Sequence, residues 1–297
     1  MMVAPAASDG PARLRSSLAL AALLAAMGAA TAQAVPAGQD DKASPQPPES
    51  VDSHLAEAAS RPAGIFKYGP VSLIDPYWKQ LDRALDDYGV NLGLAYTAVY
   101  QGATKGPGER EAAGGDADLF GNWRLLGEDG GESSSCLYFA VEHRHAITTE
   151  IAPGSLDNEI GSLWGTTNGF GEQDLALKEL FWQQQFDGDR LLFCVGKLDA
   201  ENYYNTNYLQ SDSKYFLNQA FSSFPVRAFP GTGLGMNAMA NLADWLYVST
   251  GFQDAQGRKT VAGFDTFFGD FNLFSALELG LRSDLEGLGR GTYRLTG

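Results

Sequence analysis

From Val90 onward the sequence repeats in steps of two. In VNLGLAYTAVYQ (90–101), Val90, Leu92, Leu94, Tyr96, Ala98 and Tyr100 share one parity, and Asn91, Gly93, Ala95, Thr97 and Gln101 share the other. Successive side chains of a β-strand point to opposite faces, so this stretch predicts a strand with one apolar face that ends in tyrosines. Comparable segments follow at 118–126, 136–147, 174–186, 190–198, 232–241, 244–253, 270–282 and 291–297. Gly188-Asp189 and Leu242-Ala243 read as tight turns, whereas 148–173 and 199–231 are long excursions. Short turns on one rim and long loops on the other are the asymmetry of a membrane barrel, although a soluble β-sandwich shows similar strands.

The first ninety residues follow other rules. Arg13 and Arg15 precede an apolar run, Leu18 to Ala30, and the small-residue triplet Ala32-Gln33-Ala34, so residues 1–34 read as a secretory signal cleaved after Ala34. Residues 35–62, rich in Pro, Ala, Ser and acid without a sustained apolar pattern, read as a flexible periplasmic leader. In 63–89, Asp75 caps a helix with Pro76 at its first position, and Tyr77, Trp78, Leu81 and Leu85 fall at helical spacing until Gly89. The domain expected to hold the strands is then 90–297. Beyond the signal no apolar run approaches the roughly 18–20 residues of a membrane helix, so a membrane location requires a closed barrel, in which strands satisfy one another's backbone groups.

Composition narrows the classes. With 44% apolar residues and 35 glycines the chain is a folding sequence. Its net charge of −15 and its lack of a basic stretch exclude nucleic acid as a partner, because phosphate binding needs clustered Lys and Arg. Gly-x-Ser-x-Gly is absent, and GTGLG (231–235) introduces a strand rather than a helix, so neither a nucleophile elbow nor a dinucleotide loop is expected.

Several stretches carry a resemblance: LFGNWRLL (119–126), LYFAVEHRHAI (137–147), VGKLDA (195–200) and, most specifically, FLNQAFSSFPVRAFPGTGLGMNAMANLADWLYVSTGFQDAQG (216–257). Over 65–297 the chain resembles the carbohydrate-selective porins of the OprB family. The resemblance implies an all-β transmembrane antiparallel barrel of about 16 strands, of which about nine fall within this sequence. It implies diffusion of glucose and related sugars across the outer membrane, long loops folding inward to a constriction, and neither catalysis nor a cofactor. A homotrimer follows by analogy, with carbohydrate solutes and outer-membrane lipid as partners. The family continues beyond Gly297, so an incomplete barrel is expected at the C-terminal side. Two other readings stay open: a porin fragment that does not conduct, and a secreted β-rich sugar-binding protein or hydrolase.

A pore for neutral, hydroxyl-covered solutes should present opposed donors and acceptors. Alternation places Asp118, Asn122 and Arg124 opposite Leu119, Trp123 and Leu125, and Glu142 with Arg144 opposite Leu137, Phe139 and Val141. Glu179, Gln183 and Gln185 form a third polar set, Lys197 and Asp199 a fourth, and Glu278 with Arg282 a fifth. Facing lipid at midplane would cost Arg or Lys roughly 2–4 kcal/mol, so these positions are expected inside. The expected pore-lining set is Arg124, Glu142, Arg144, Glu179, Lys197, Asp199, Asn205 and Arg282, the last but one from a loop that also offers Asn202, Tyr203, Tyr204, Asn207 and Tyr208. The plainer alternative is that these charges pair among themselves and that the loop residues pack the loop. Phe221, Phe224, Phe229 and Pro230 read as loop anchors. His143 and His145 have the parity of outward residues and lack a third ligand at recognisable spacing, so no metal is expected. Cys136 and Cys194 fall in non-neighbouring strands and are expected to remain free thiols.

Overall fold

A computed structural model describes residues 50–60, 77, 80–81, 83–127, 132–205, 215–223, 228–285 and 289–297. The expected signal, Asp75, Pro76, Trp78, Asn207, Tyr208 and Phe224 lie outside these residues. Nine strands run β1 (Val90–Gly102), β2 (Glu111–Leu126), β3 (Ser133–Ala146), β4 (Gln173–Phe186), β5 (Leu191–Leu198), β6 (Gly233–Ala243), β7 (Leu246–Asp254), β8 (Leu273–Leu285) and β9 (Gly289–Thr296). They form one antiparallel sheet in strict sequence order, each strand paired with its chain neighbours. Helices are short: α1 (Val51–Ser60), α2 (Leu156–Ile160), α3 (Glu201–Tyr204) and α4 (Gln219–Ser222). Between 77 and 86 the described residues are also helical, as the spacing of Tyr77 and Leu81 predicts. No described helix is long and apolar enough to cross a membrane.

All nine expected strands form, with informative shifts at their ends. β2 begins at Glu111 rather than at 118, because Ala112, Ala113, Gly114 and Gly115 pair with β1 despite weak intrinsic strand preference, and a 3₁₀ turn at Pro153–Ser155 lies against β1 and β2 there. The expected turn Leu242-Ala243 belongs to β6, and the chain reverses at Asp244 and Trp245 after an irregularity in register between Asn241 and Ala243. β8 starts at Leu273, since a π-helical turn occupies Thr266–Asp270. Turns following β2, β4, β6 and β8 are short, and the long excursions 147–172, 199–232 and 255–272 all leave the opposite rim.

Parity then sorts the two faces. Leu94 (55% exposed), Leu119, Trp123, Leu177, Leu180, Val195, Leu277 (57% exposed), Leu279, Leu281 and Leu295 leave large apolar side chains uncovered on one face. A continuous uncovered apolar wall is what a lipid-facing surface requires and what a water-facing one avoids. Cysteine placed at Leu94 or Leu279 is therefore expected to react with a membrane-soluble maleimide and to resist a charged one; the reverse pattern would exclude a lipid-facing wall.

Over the opposite, inner face lies α1. Ser50 caps it, its hydroxyl accepting from the Ser53 amide at 3.2 Å while its carbonyl accepts from His54 N at 3.0 Å. Val51 is buried with Phe120, Tyr138, Phe181, Cys194 and Leu198, and Leu55 packs against the same cluster. The Tyr138 and Phe181 rings stack at 5.0 Å, the Tyr138 hydroxyl donates to Asp52 Oδ2 at 3.3 Å, and the His54 ring lies 5.2 Å from that of Phe120. A helix thus stands within 35–62, the stretch read as a flexible leader. Its signal was local and brief: a capping serine, Asp52 in the first turn, and Val51 and Leu55 four residues apart.

Candidate functional site: a charge cluster on the inner face

Pairing of β2 with β3 sets Asp118 opposite Glu142 and Asp116 opposite Arg144, all on the inner face. The Arg144 guanidinium bridges the two carboxylates: Nε donates to Asp116 Oδ2 at 2.8 Å and also meets Glu142. Two lysines complete the ring. Lys178 Nζ stands 3.9 Å from Glu142 Oε2, and Lys259 Nζ donates to both Glu142 oxygens at 3.0 and 3.3 Å.

Each lysine arrives by a device that alternation does not encode. Between β3 and β4 the register skips, Ala140 facing Glu179 and Val141 facing Leu177, so Lys178 is the extra residue of a β-bulge. The bulge shifts the parity of β4, so that Lys178 reaches Glu142 while the next residue, Glu179, is buried and accepts from Asn202. Lys259 sits in the β7–β8 loop, 117 positions from Glu142, and must cross the inner side of the sheet to reach it. Burial pushes the Lys259 ammonium below its ordinary range, Lys178 adds to that, and Glu142 opposes both.

The neighbouring groups are tied down. Lys197 donates to the carbonyls of Lys259 and Val261, both at 2.7 Å, which fixes the path of the crossing loop. Gly196 permits this: its φ is +143°, and a Cβ there would meet the Leu180 carbonyl oxygen at 2.4 Å. Consequently Lys197 and Leu198, which a regular strand sends to opposite faces, are both buried. Asn202 donates to Glu179 Oε1 at 2.7 Å, and Asp199 accepts from the Glu201 amide at 3.0 Å at the start of α3, where burial raises its carboxyl above the usual range. Val51, His54, Asp118, Phe120, Ala140, Lys178 and Glu179 line a small cavity where α1 adjoins the cluster.

Of the eight residues singled out in the sequence, Glu142 and Arg144 meet in the cluster, while Glu179, Lys197 and Asp199 surround it. Exposure divides their work. Glu142 is 1% exposed, whereas the side chains of Arg144, Lys178 and Lys259 retain 15%, 17% and 26%. The carboxylate is the foundation, and the cations are what the cluster offers to solvent. Asn205 is fully buried, with its amide donating to Glu201 Oε1 at 2.7 Å, so it packs its loop rather than facing solute in this arrangement.

Arg124 and Arg282 lie at the other end of the strands, toward the short turns. Arg124 N bonds the Gly89 carbonyl. Arg282 donates to Asn241 Oδ1 at 2.9 Å and lies 4.7 Å over the Tyr247 ring, whose hydroxyl donates to Glu278 at 2.6 Å. Thr296 donates to Glu278 Oε2 at 2.9 Å, and Arg294 stands 3.6 Å from Oε1. This second polar nest is made possible by Gly280, opposite Tyr247, where any Cβ would enter the phenol ring.

The sequence reading missed Asp116, Lys178 and Lys259 as partners. Asp116 fell before the expected start of its strand, Lys178 had the wrong parity, and Lys259 lay in a loop. The inner-face aromatics Phe120, Tyr138 and Phe181 had the right parity but were hidden by the expectation of a polar interior. Tyr96 donates or accepts with His145 Nε2 at 3.1 Å, and the His143 and His145 rings stack at 5.4 Å. Cys136 and Cys194 are not joined by a disulfide and lie on β3 and β5 with β4 between them.

No curated protein matches the sequence. Among solved structures, the low-pH structure of Pseudomonas putida OprB matches over 74% of this chain with 11% identity and a TM-score of 0.36. The chain spans 57% of that protein's length. The family model described as carbohydrate-selective porin, OprB family, matches residues 141–297, which is more than half of the chain and takes in Glu142, Arg144, Lys178 and Lys259. By that match, this chain belongs to the OprB family of carbohydrate-selective porins.

Proposed function

We propose that the chain forms part of an outer-membrane barrel wall through which neutral sugars such as glucose diffuse passively, and that the cluster around Glu142 is the polar surface they pass. The observation that carries this reading is the cross-sheet contact of Lys259 with Glu142, which draws a loop over the inner face and presents Arg144, Lys178 and Lys259 as ordered donors. Guanidinium and ammonium groups donate but do not accept, and sugar hydroxyls accept readily, so such donors can exchange with water at little cost as a solute slides by. Asp116 and Glu142 neutralise much of the positive charge, which keeps the surface from trapping anions. Diffusion of this kind needs no nucleophile, cofactor or energy source.

Liposome swelling tests the proposal. Vesicles carrying the full-length protein are expected to swell in iso-osmolar glucose faster than protein-free vesicles, and Lys259→Ala is expected to speed entry of a disaccharide more than that of glucose by freeing the crossing loop. Swelling no faster than in empty vesicles would refute sugar passage by this chain.

A further inference from the structure

Two inserts lie on the inner face of the sheet, α1 and the short helix α3, and a line of hydrogen bonds joins them. Three successive side chains tie α3 to the wall. Asn202 donates to Glu179 on β4, the Tyr203 hydroxyl bonds to the Cys194 thiol on β5, and the Tyr204 hydroxyl donates to Asn237 Oδ1 on β6 at 2.6 Å. From Cys194 the contacts continue across the sheet. Its thiol donates to Gln183 Oε1 at 3.4 Å, the Gln183 amide donates to the Tyr138 hydroxyl at 3.3 Å, and that hydroxyl donates to Asp52 Oδ2 in α1 at 3.3 Å. Strand register makes room for this line, because Gln183 pairs with Cys136 of β3 on one side and with Cys194 of β5 on the other.

The line has one direction. An ionised Asp52 only accepts, so Tyr138 gives its proton to the carboxylate and accepts in turn from the Gln183 amide. That orientation turns the Gln183 carbonyl oxygen to Cys194, whose S–H donates, and leaves the sulfur to accept from Tyr203. The donors thus point in sequence toward a single carboxylate. Hydrogen bonds in such a chain polarise one another, so losing one weakens the rest. Cys194 and Tyr138 are buried, which leaves little water to replace a lost partner.

We propose that this line couples the two inserts, so that α1 and α3 seat on the inner face and leave it as one unit. Its consequence for transport rests on the reading of the inner face as a pore lining. Loosening α1 then also frees the first limb of the 199–232 excursion, and with it the contact of Asn202 to Glu179 beside the charge cluster. Shared packing alone does not require this. Leu55 of α1 and Tyr203 of α3 both pack around the cluster of Val51, Phe120, Tyr138, Phe181, Cys194 and Leu198, but apolar contact is non-directional and lets one insert shift without the other.

A glutamyl endopeptidase reads both ends at once, because Glu57 lies in α1 and Glu201 in α3. Under native conditions its rate at each site follows the fraction of molecules in which that site is open. In the full chain in detergent micelles, Tyr203→Phe is expected to raise cutting after Glu57 roughly fivefold, and Tyr138→Phe to raise cutting after Glu201 by a similar factor. Both substitutions keep the ring and its packing and remove only a hydroxyl. Since either one breaks the line, the double variant is expected to be cut no faster than the faster single variant. Glu278, buried in β8, reports the wall and is expected to stay uncut. If Tyr203→Phe speeds cutting only after Glu201 and Tyr138→Phe only after Glu57, or if neither site responds, the coupling is overturned. Cutting after Glu278 in step with the other two would overturn it as well, by marking a general loosening. The assay needs no passage of solute, so the coupling and the diffusion of sugars stand or fall separately.

Discussion

Replacing Glu142 with alanine is expected to destabilise the protein more than removal of any of the cations around it, and to shift the pore toward anions. Glu142 is 1% exposed and accepts from Lys259 while also facing Arg144 and Lys178. Removing one partner of a buried ionic network leaves the others uncompensated, a loss of about 3–5 kcal/mol. Arg144 keeps Asp116 at 2.8 Å, but Lys259 loses the carboxylate that offsets its burial and draws its loop inward. Glu142→Gln retains the shape and one acceptor oxygen, so its loss should be smaller, about 1–1.5 kcal/mol, the difference between a charge-assisted and a neutral hydrogen bond. Urea unfolding followed by heat-modifiable gel mobility measures the first effect. Reversal potentials in a potassium chloride gradient measure the second. An alanine variant as stable and as ion-selective as the parent would show that the carboxylate does not organise the cluster.

The second large effect is expected at α1. Val51→Asp places a carboxylate among Phe120, Tyr138, Phe181 and Leu198, beside Asp52, which already accepts from Tyr138. Burial of the valine is worth about 1.5–3 kcal/mol, and a charge in its place costs more than its loss does. A ten-residue helix has little stability without its tertiary seat, so α1 is expected to leave the inner face rather than shift on it. Single-channel conductance should then rise, and protease should cut within 51–60 while the strands stay protected. Val51→Ala, which deletes packing without adding charge, should give an intermediate opening. Unchanged conductance in both variants, with α1 newly cleavable, would show that the helix does not obstruct the path.

These two sites differ in how far the amino-acid order announces them. The strands were legible because a period of two is a local property: Leu94, Leu119 and Leu279 lie on the wall that their neighbours' parity assigns them. Errors fell where a local preference was overruled by partners. Ala112 to Gly115 join β2 because β1 offers them a ladder, and Leu242-Ala243 extends β6 past an irregular register. The cluster was only half legible. Parity gives Glu142 and Arg144, but Lys178 turns inward through a bulge that a single strand cannot display, since a bulge is a relation between two strands.

By itself, then, the order of residues determined an all-β chain of alternating strands, its two faces, its short and long rims, and the family to which it belongs. Tertiary structure decided which charges meet. Lys259 finds Glu142, and Val51 finds Phe181, across separations of the chain for which no short-range pattern exists. Alternation states which side of a strand a residue occupies, whereas contact across the inner face depends on the path of a loop and the seat of a helix. Those are fixed by burial and ion pairing summed over distant elements, and they become visible only once the sheet is assembled.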